Sequence, residues 1–177
     1  QLSGVVLTHA HWDHVSGLDS LPGVEVWVTP AEKRFMDSRD GTMALINSFK
    51  DIGYREYSFT DGPYLGFEKG FDVWSDGSVV IVPAPGHTPG SIVAFITLPS
   101  GARYALLGDL VWQMEGIDIP AERPWLSRQL VDEDDDQVRQ QIAKVAAIRK
   151  RFPEIHMVPA HDARAASRVP MFPATAK

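Results

Sequence analysis

The chain has no cysteine. That removes disulfides, thiolate metal ligands and a cysteine nucleophile together. It has no apolar run approaching the roughly 18 residues that read as a membrane-spanning helix. Basic residues are outnumbered: 17 Lys and Arg stand against 23 Asp and Glu, a formal charge of −6. This balance opposes a nucleic acid or an anionic membrane as partner. Internal repeats and low-complexity tracts are also missing. What is present suits a globular domain, with 177 residues of which 44% are hydrophobic, enough to bury a core. The opening run "SGVVLTH" reads as the inside of a strand, so an N-terminal segment or a companion chain is expected to complete the domain. We read residues 1–169 as the domain and 170–177, "PMFPATAK", as a flexible tail. Localisation stays open, with the cytoplasm as the default.

Strand and helix signals alternate along the chain. Residues 4 to 8 read as a buried strand, and "VEVWVTP" (24 to 30) as a second, ended by Pro30. "AEKRFMDSRDGTMALINSF" has helical composition broken near Gly41, giving two short helices. Residues 51 to 70 read as loop with a short strand. "FDVWSDGSVVIVPAPG" predicts a hairpin around a two-residue Asp76-Gly77 turn. "SIVAFITL" and "RYALLGD" predict a further strand pair around "PSGA". Residues 134 to 152 form the clearest helix, with Asp134, Asp135 and Asp136 at its start, Arg149 to Arg151 at its end and Pro153 beyond. The basic run "RKR" is thereby read as a helix C-terminus in preference to a binding patch. "IHMVPAH" predicts a last short strand. The class is α+β with a largely antiparallel sheet.

The chemistry concentrates at 7 to 14, "LTHAHWDH", which holds three of the six histidines and an aspartate. Side chains two apart on an extended segment point the same way, so His9, His11 and Asp13 are expected to converge, with His14 following at the turn. Imidazoles with a carboxylate form a ligand set for Zn²⁺, Fe or Mn²⁺ in preference to Ca²⁺ or Mg²⁺. Two pairs of donors suggest two half-sites, each needing more. Three strand ends offer them: His87 in "PAPGHTPGS", Asp109 after "YALLG" and His161 after "MVPA". Taken singly, His87 is equally a turn histidine, Asp109 a cap and His161-Asp162 a helix start. The segment 110 to 132 carries Trp112, Met114, Ile117 and Trp125 without a clean period. These either cover the sheet or form an apolar wall beside the site, and Trp112, Met114 and Trp125 are the substrate-contact candidates.

In order, "THAHWDH", "PGHTPGS", "LLGD" and "PAHD" resemble the motif series of the metallo-β-lactamase superfamily, over residues 4 to about 165. The resemblance implies a four-layer αβ/βα sandwich, incomplete at its N-terminus, with the site on one edge between two sheets. It implies one metal held by His9, His11 and His87, a second held by Asp13, His14 and His161, and Asp109 bridging them. The implied cofactors are two divalent ions, Zn²⁺ first, with Fe or Mn as alternatives. The implied chemistry is attack of a metal-bridging hydroxide on a small-molecule ester, lactone, thioester or amide. Asp109 and Asp13 are then the catalytic carboxylates, Asp13 also passing a proton to the leaving group. Some family features are absent. A cysteine ligand marks one β-lactamase subclass. Lactonases of this fold often carry tyrosine three residues past the bridging aspartate, where this chain has Trp112. For the basic residues of glutathione thioesterases only Arg164 and Arg168 are at hand. Two other classes share the motif: a mononuclear iron enzyme resembling persulfide dioxygenases, separable by iron content and oxygen uptake, and a non-catalytic metal-binding fragment.

Overall fold

The computed structural model describes residues 2–38 and 41–170. The proposed tail beyond Pro170 lies outside the described residues. Among the described residues, eight strands form two sheets. β1 (Val5–Val6), β2 (Val26–Val28) and β3 (Tyr54–Glu56) make a three-stranded sheet in that order, every pairing parallel. β4 (Phe71–Asp72), β5 (Val79–Pro83), β6 (Ile92–Thr97), β7 (Arg103–Gly108) and β8 (Ile155–Pro159) make a five-stranded sheet in sequence order. It is antiparallel except where β8 joins β7 in parallel. The antiparallel expectation thus holds for the larger sheet only. The small one is parallel because helices, not hairpins, connect its strands.

Period-two alternation divides the side chains between layers. On β5 and β6, Val80, Val82, Val93 and Phe95 face one way, into a cluster with Val138, Ile142, Val145 and Ile148 of α6 (Asp135–Arg151). Ile81, Ile92 and Ala94 face the other way, against Trp27 and Tyr57 of the small sheet's side. On β2, Val26 and Val28 point outward into a third cluster with Met36 of α2 (Pro30–Asp37) and Ile46 of α3 (Ala44–Ser48). The order of layers is therefore helix, sheet, sheet, helix, as the alternation requires.

Local chemistry sets the element ends. Thr29 caps α2 by accepting from the Glu32 amide, and Pro30 takes the first helical position, where its missing N–H costs nothing. Asp134 caps α6 through the Gln137 amide, with acids in the first turn and Arg149, Lys150 and Arg151 in the last. The β4–β5 hairpin exists, but its loop spans residues 74 to 78. Val73 still pairs with Val79, Ser75 and Gly77 adopt positive φ, and Asp72 and Asp76 side chains accept from the Gly77 and Ser78 amides. Those side-chain bonds stabilise a wider loop than the two-residue turn that Asp-Gly favours.

Strand direction then fixes where the chemistry collects. β5 and β7 both run antiparallel to β6, and β8 follows β7, so the C-terminal ends of β5, β7 and β8 share one edge. The segment after β1 reaches the same edge, where the Thr8 carbonyl accepts from the Ile92 amide at 3.0 Å.

Candidate metal centre

The four segments leaving that edge carry the seven residues singled out from the sequence. His9 and His11 lie beyond β1, His87 in the loop after β5, Asp109 directly after β7 and His161 just past β8. Gly108, with φ +53°, lets β7 pass the β1 extension. A Cβ there would stand 2.9 Å from the Thr8 Cβ. Asp13 does not share a strand face with His9 and His11. The chain turns into the short helix α1 (Trp12–Val15), with His11 at its N-cap position, and the turn carries Asp13 and His14 to a second group. The helical rotation of about 100° per residue replaces the alternation expected there.

Two donor groups result, each with its donor atoms within 4.8 Å of one another: His9, His11 and His87, and Asp13, His14, Asp109 and His161. In the first, His87 Nε2 lies 2.9 Å from His11 Nδ1 and 3.2 Å from His9 Nε2. In the second, Asp109 presents Oδ1 to His14 Nε2 at 3.1 Å and Oδ2 to His161 Nε2 at 3.0 Å, while Asp13 Oδ2 is 3.4 Å from His161 Nε2. Asp109 also faces the first group, its Oδ2 being 3.8 Å from His87 Nε2. Such spacings match donors arranged around an ion at about 2.0–2.2 Å from each. Three imidazole nitrogens converge there with their ring edges facing one another, a donor set suited to a divalent ion. His14 Nε2 and Asp109 Oδ1 are buried and neither has an aligned hydrogen bond.

The electrostatics favour the ligand-competent forms of His9, His11 and Asp109. Burial, then the neighbouring His87, pushes His9 well below the ordinary histidine value, and the same causes take His11 to about 4. Both imidazoles are therefore neutral at pH 7. Burial works against ionising Asp109, but the imidazoles of His14, His9 and His87 outweigh it and hold the carboxyl well below the usual range. Burial likewise opposes the charged form of His14. The Asp109 and Asp13 carboxylates overcome it and raise that histidine.

Three buried residues with no place in the motif reading support the site. Asp132 Oδ1 lies 2.8 Å from His87 Nδ1. A carboxylate only accepts, so Nδ1 holds the proton and Nε2 keeps its lone pair toward His9 and His11. Arg123 pairs with Asp132 and also donates to the Asp109 main-chain oxygen. Glu32, 2% exposed, bonds to both loops that carry the three-imidazole group. Of the three, only Glu32 had a sequence signal: "TPAE" (29 to 32) has capping-box spacing.

A cavity of about 990 Å³ opens beside the donors, reached by His11, Asp13, His87, Asp109 and His161. Val111, Trp112, Ile119, Leu130 and Val131 form its apolar wall, with Arg123 and Glu122 among the polar lining. Of the three substrate-contact candidates, Trp112 lines this cavity. Met114 packs against the core of the larger sheet, and Trp125 is 67% exposed on α5 (Trp125–Val131), outside the lining. Asp162 caps α7 (Ala163–Ala166), and Arg164 pairs with Glu115 at the surface. No helix among the described residues is long and apolar enough to cross a membrane.

The family model for the metallo-beta-lactamase superfamily matches residues 1–164. A probable metallo-hydrolase of Mycobacterium tuberculosis is 29% identical, the alignment covering 89% of this chain and 54% of that protein. The uncharacterised protein YobT of Bacillus subtilis is 30% identical over 70% of this chain and 52% of its own. The chain thus spans about half the length of these relatives. Among solved structures, an N-acyl homoserine lactone hydrolase with N-hexanoyl-L-homoserine at its catalytic metal centre superposes with a TM-score of 0.73, at 19% identity, over 97% of this chain and 60% of that one. TTHA1623 in a di-iron-bound form gives 0.54 at 20% identity, over 90% and 69%. The match over residues 1–164, together with the layered fold, gives the assignment: the chain belongs to the metallo-beta-lactamase superfamily.

Proposed function

We propose that this chain carries the metal centre of a hydrolase that cleaves an ester, lactone, thioester or amide in a small molecule. One observation carries the reading: Asp109 belongs to one donor group, 3.0 Å from His161, and faces the other, 3.8 Å from His87. His9, His11 and His87 would hold one divalent ion, and Asp13, His14 and His161 the other, with Asp109 shared. When bound, two such ions supply a hydroxide nucleophile at neutral pH and polarise the carbonyl oxygen under attack. No serine or cysteine nucleophile is then needed. The full second donor set favours two ions over the single iron of an oxygenase.

The remaining work falls to side chains of the chain. Asp13 reaches the cavity and is the more solvent-accessible carboxylate of the centre, at 29% against 6% for Asp109. That position suits it to carry a proton to the leaving group. The apolar wall of Val111, Trp112, Ile119, Leu130 and Val131 suits a substrate with an acyl or aromatic part. The likeness to N-acyl homoserine lactone hydrolases supports putting a lactone first in any panel.

The test is turnover of a lactone, a thioester and a cephalosporin by protein loaded with Zn²⁺, Mn²⁺ or Fe²⁺. Metal-dependent cleavage of one of them is expected. Asp13→Asn is expected to lower kcat about 100-fold or more while retaining most of the bound metal, in line with loss of a general acid. Oxygen uptake with one iron per chain and no hydrolysis would overturn the reading.

A further inference from the structure

Glu32 is the third residue of α2 and is buried, outside the lining of the cavity. A buried carboxylate is costly unless its lone pairs are occupied. Among the described residues no cation pairs with it. Instead Oε1 accepts from the Ala10 amide at 2.6 Å, and Oε2 accepts from Thr88 Oγ1 at 2.6 Å and the Gly90 amide at 3.1 Å. Ala10 is the residue between His9 and His11, and Thr88 follows His87. Both are fully buried. One side chain thus ties together two loops that lie far apart in sequence and share one donor group. The helix start seats directly on the second loop: a Cβ at Gly90 would come within 2.2 Å of the Glu32 amide, and Thr29 donates to the Gly90 carbonyl at 3.2 Å.

We infer that Glu32 is a positioning residue for the three-imidazole group, acting through the main chain of both loops and not on the Asp13, His14, Asp109, His161 group. This rests on the proposed metal centre. The contacts call for an acceptor-only group. Glutamine in the same place would set an N–H against the Ala10 or Gly90 amide and release one loop. A capping-box glutamate would turn back to the amide of its own cap. This one turns outward and joins α2 to the catalytic edge.

The experiment is titration of metal-free protein with Co²⁺, read by its visible spectrum, and with Zn²⁺ against a chelator. Running it in a His161→Ala background isolates the three-imidazole site, and a His87→Ala background isolates the other. Glu32→Gln is expected to weaken the first site roughly 10–100-fold, the range for lost outer supports of metal ligands, and to change the second by less than about twofold. Thr88→Val removes one of the three bonds and is expected to weaken the first site less, while Thr88→Ser restores it. Ile46→Val, which trims the same layer without removing a hydrogen bond to either loop, is expected to leave both sites alone. Unchanged affinity at the first site in Glu32→Gln and Thr88→Val, with two ions bound by the parent, overturns the proposal alone. Equal loss at both sites, matched by Ile46→Val, also overturns it by reducing Glu32 to a fold-stabilising role. A parent protein that takes up no metal overturns the metal centre and this proposal with it.

Discussion

His87 shows how much of the centre depends on groups that never face the cavity. Its Nε2 converges on His9 and His11 because Asp132 engages Nδ1 at 2.8 Å. Asp132 is itself fixed by Arg123, and both side chains are almost wholly buried. Removing one member of such a pair strands the other charge, at a cost of about 3–5 kcal/mol. Asp132→Ala is accordingly expected to lose about that much stability in urea denaturation of the metal-free protein. Adding Arg123→Met is expected to recover most of it. A loss below about 1 kcal/mol in the single variant would show that Arg123 finds water instead. The residue scale is also where the sequence was most and least legible. The cluster His9, His11, Asp13 and His14 stands out because imidazoles crowd a short stretch with no packing need, whereas His87, Asp109 and His161 are readable only as the partners that cluster calls for. Asp132 and Arg123 carry no such mark. They sit in a stretch already rich in acids and bases, and only the fold shows which of those charges are buried.

Elements were legible where one period dominates. The alternation on β5 to β7 and the charge gradient along α6 were readable because each residue repeats the same message. The small sheet was harder. Two- and three-residue strands carry too little alternation to show direction, so its parallel pairing followed from connections the sequence does not display. The turn into α1 was missed for a related reason: four residues are too few to announce a helix over an extended run. Close approach between elements leaves one readable trace, the glycines. Gly86, at φ +133°, sits under the start of α6, where a Cβ would lie 2.5 Å from the Val138 amide nitrogen. Its carbonyl accepts from the Glu133 and Asp134 amides. Gly86→Ala must therefore shift α6 or the His87 loop. It is expected to cost more than about 1 kcal/mol, the ordinary scale of a glycine change, and to lower metal affinity as well. Wild-type thermal stability in that variant would mean the loop adapts freely.

Across the whole molecule, two sheets of different construction meet at one edge and each supplies part of the centre. The smaller sheet contributes His9, His11, Asp13 and His14 from beyond β1. The larger contributes His87, Asp109 and His161 from beyond β5, β7 and β8. Neither donor group is complete within one sheet, so the proposed metal binding would link the two halves. Bound metal is then expected to raise stability by an amount that grows with the logarithm of its affinity. Asp109 lies within 3.0 Å of His161 and 3.8 Å of His87, so under the proposed function one carboxylate would join the two groups. The most direct measurement is the metal content of the purified, metal-loaded chain and its His161→Ala variant by inductively coupled plasma mass spectrometry. Close to two divalent ions per chain are expected, falling to about one in the variant. A single ion in the parent, unaffected by His161→Ala, would contradict it.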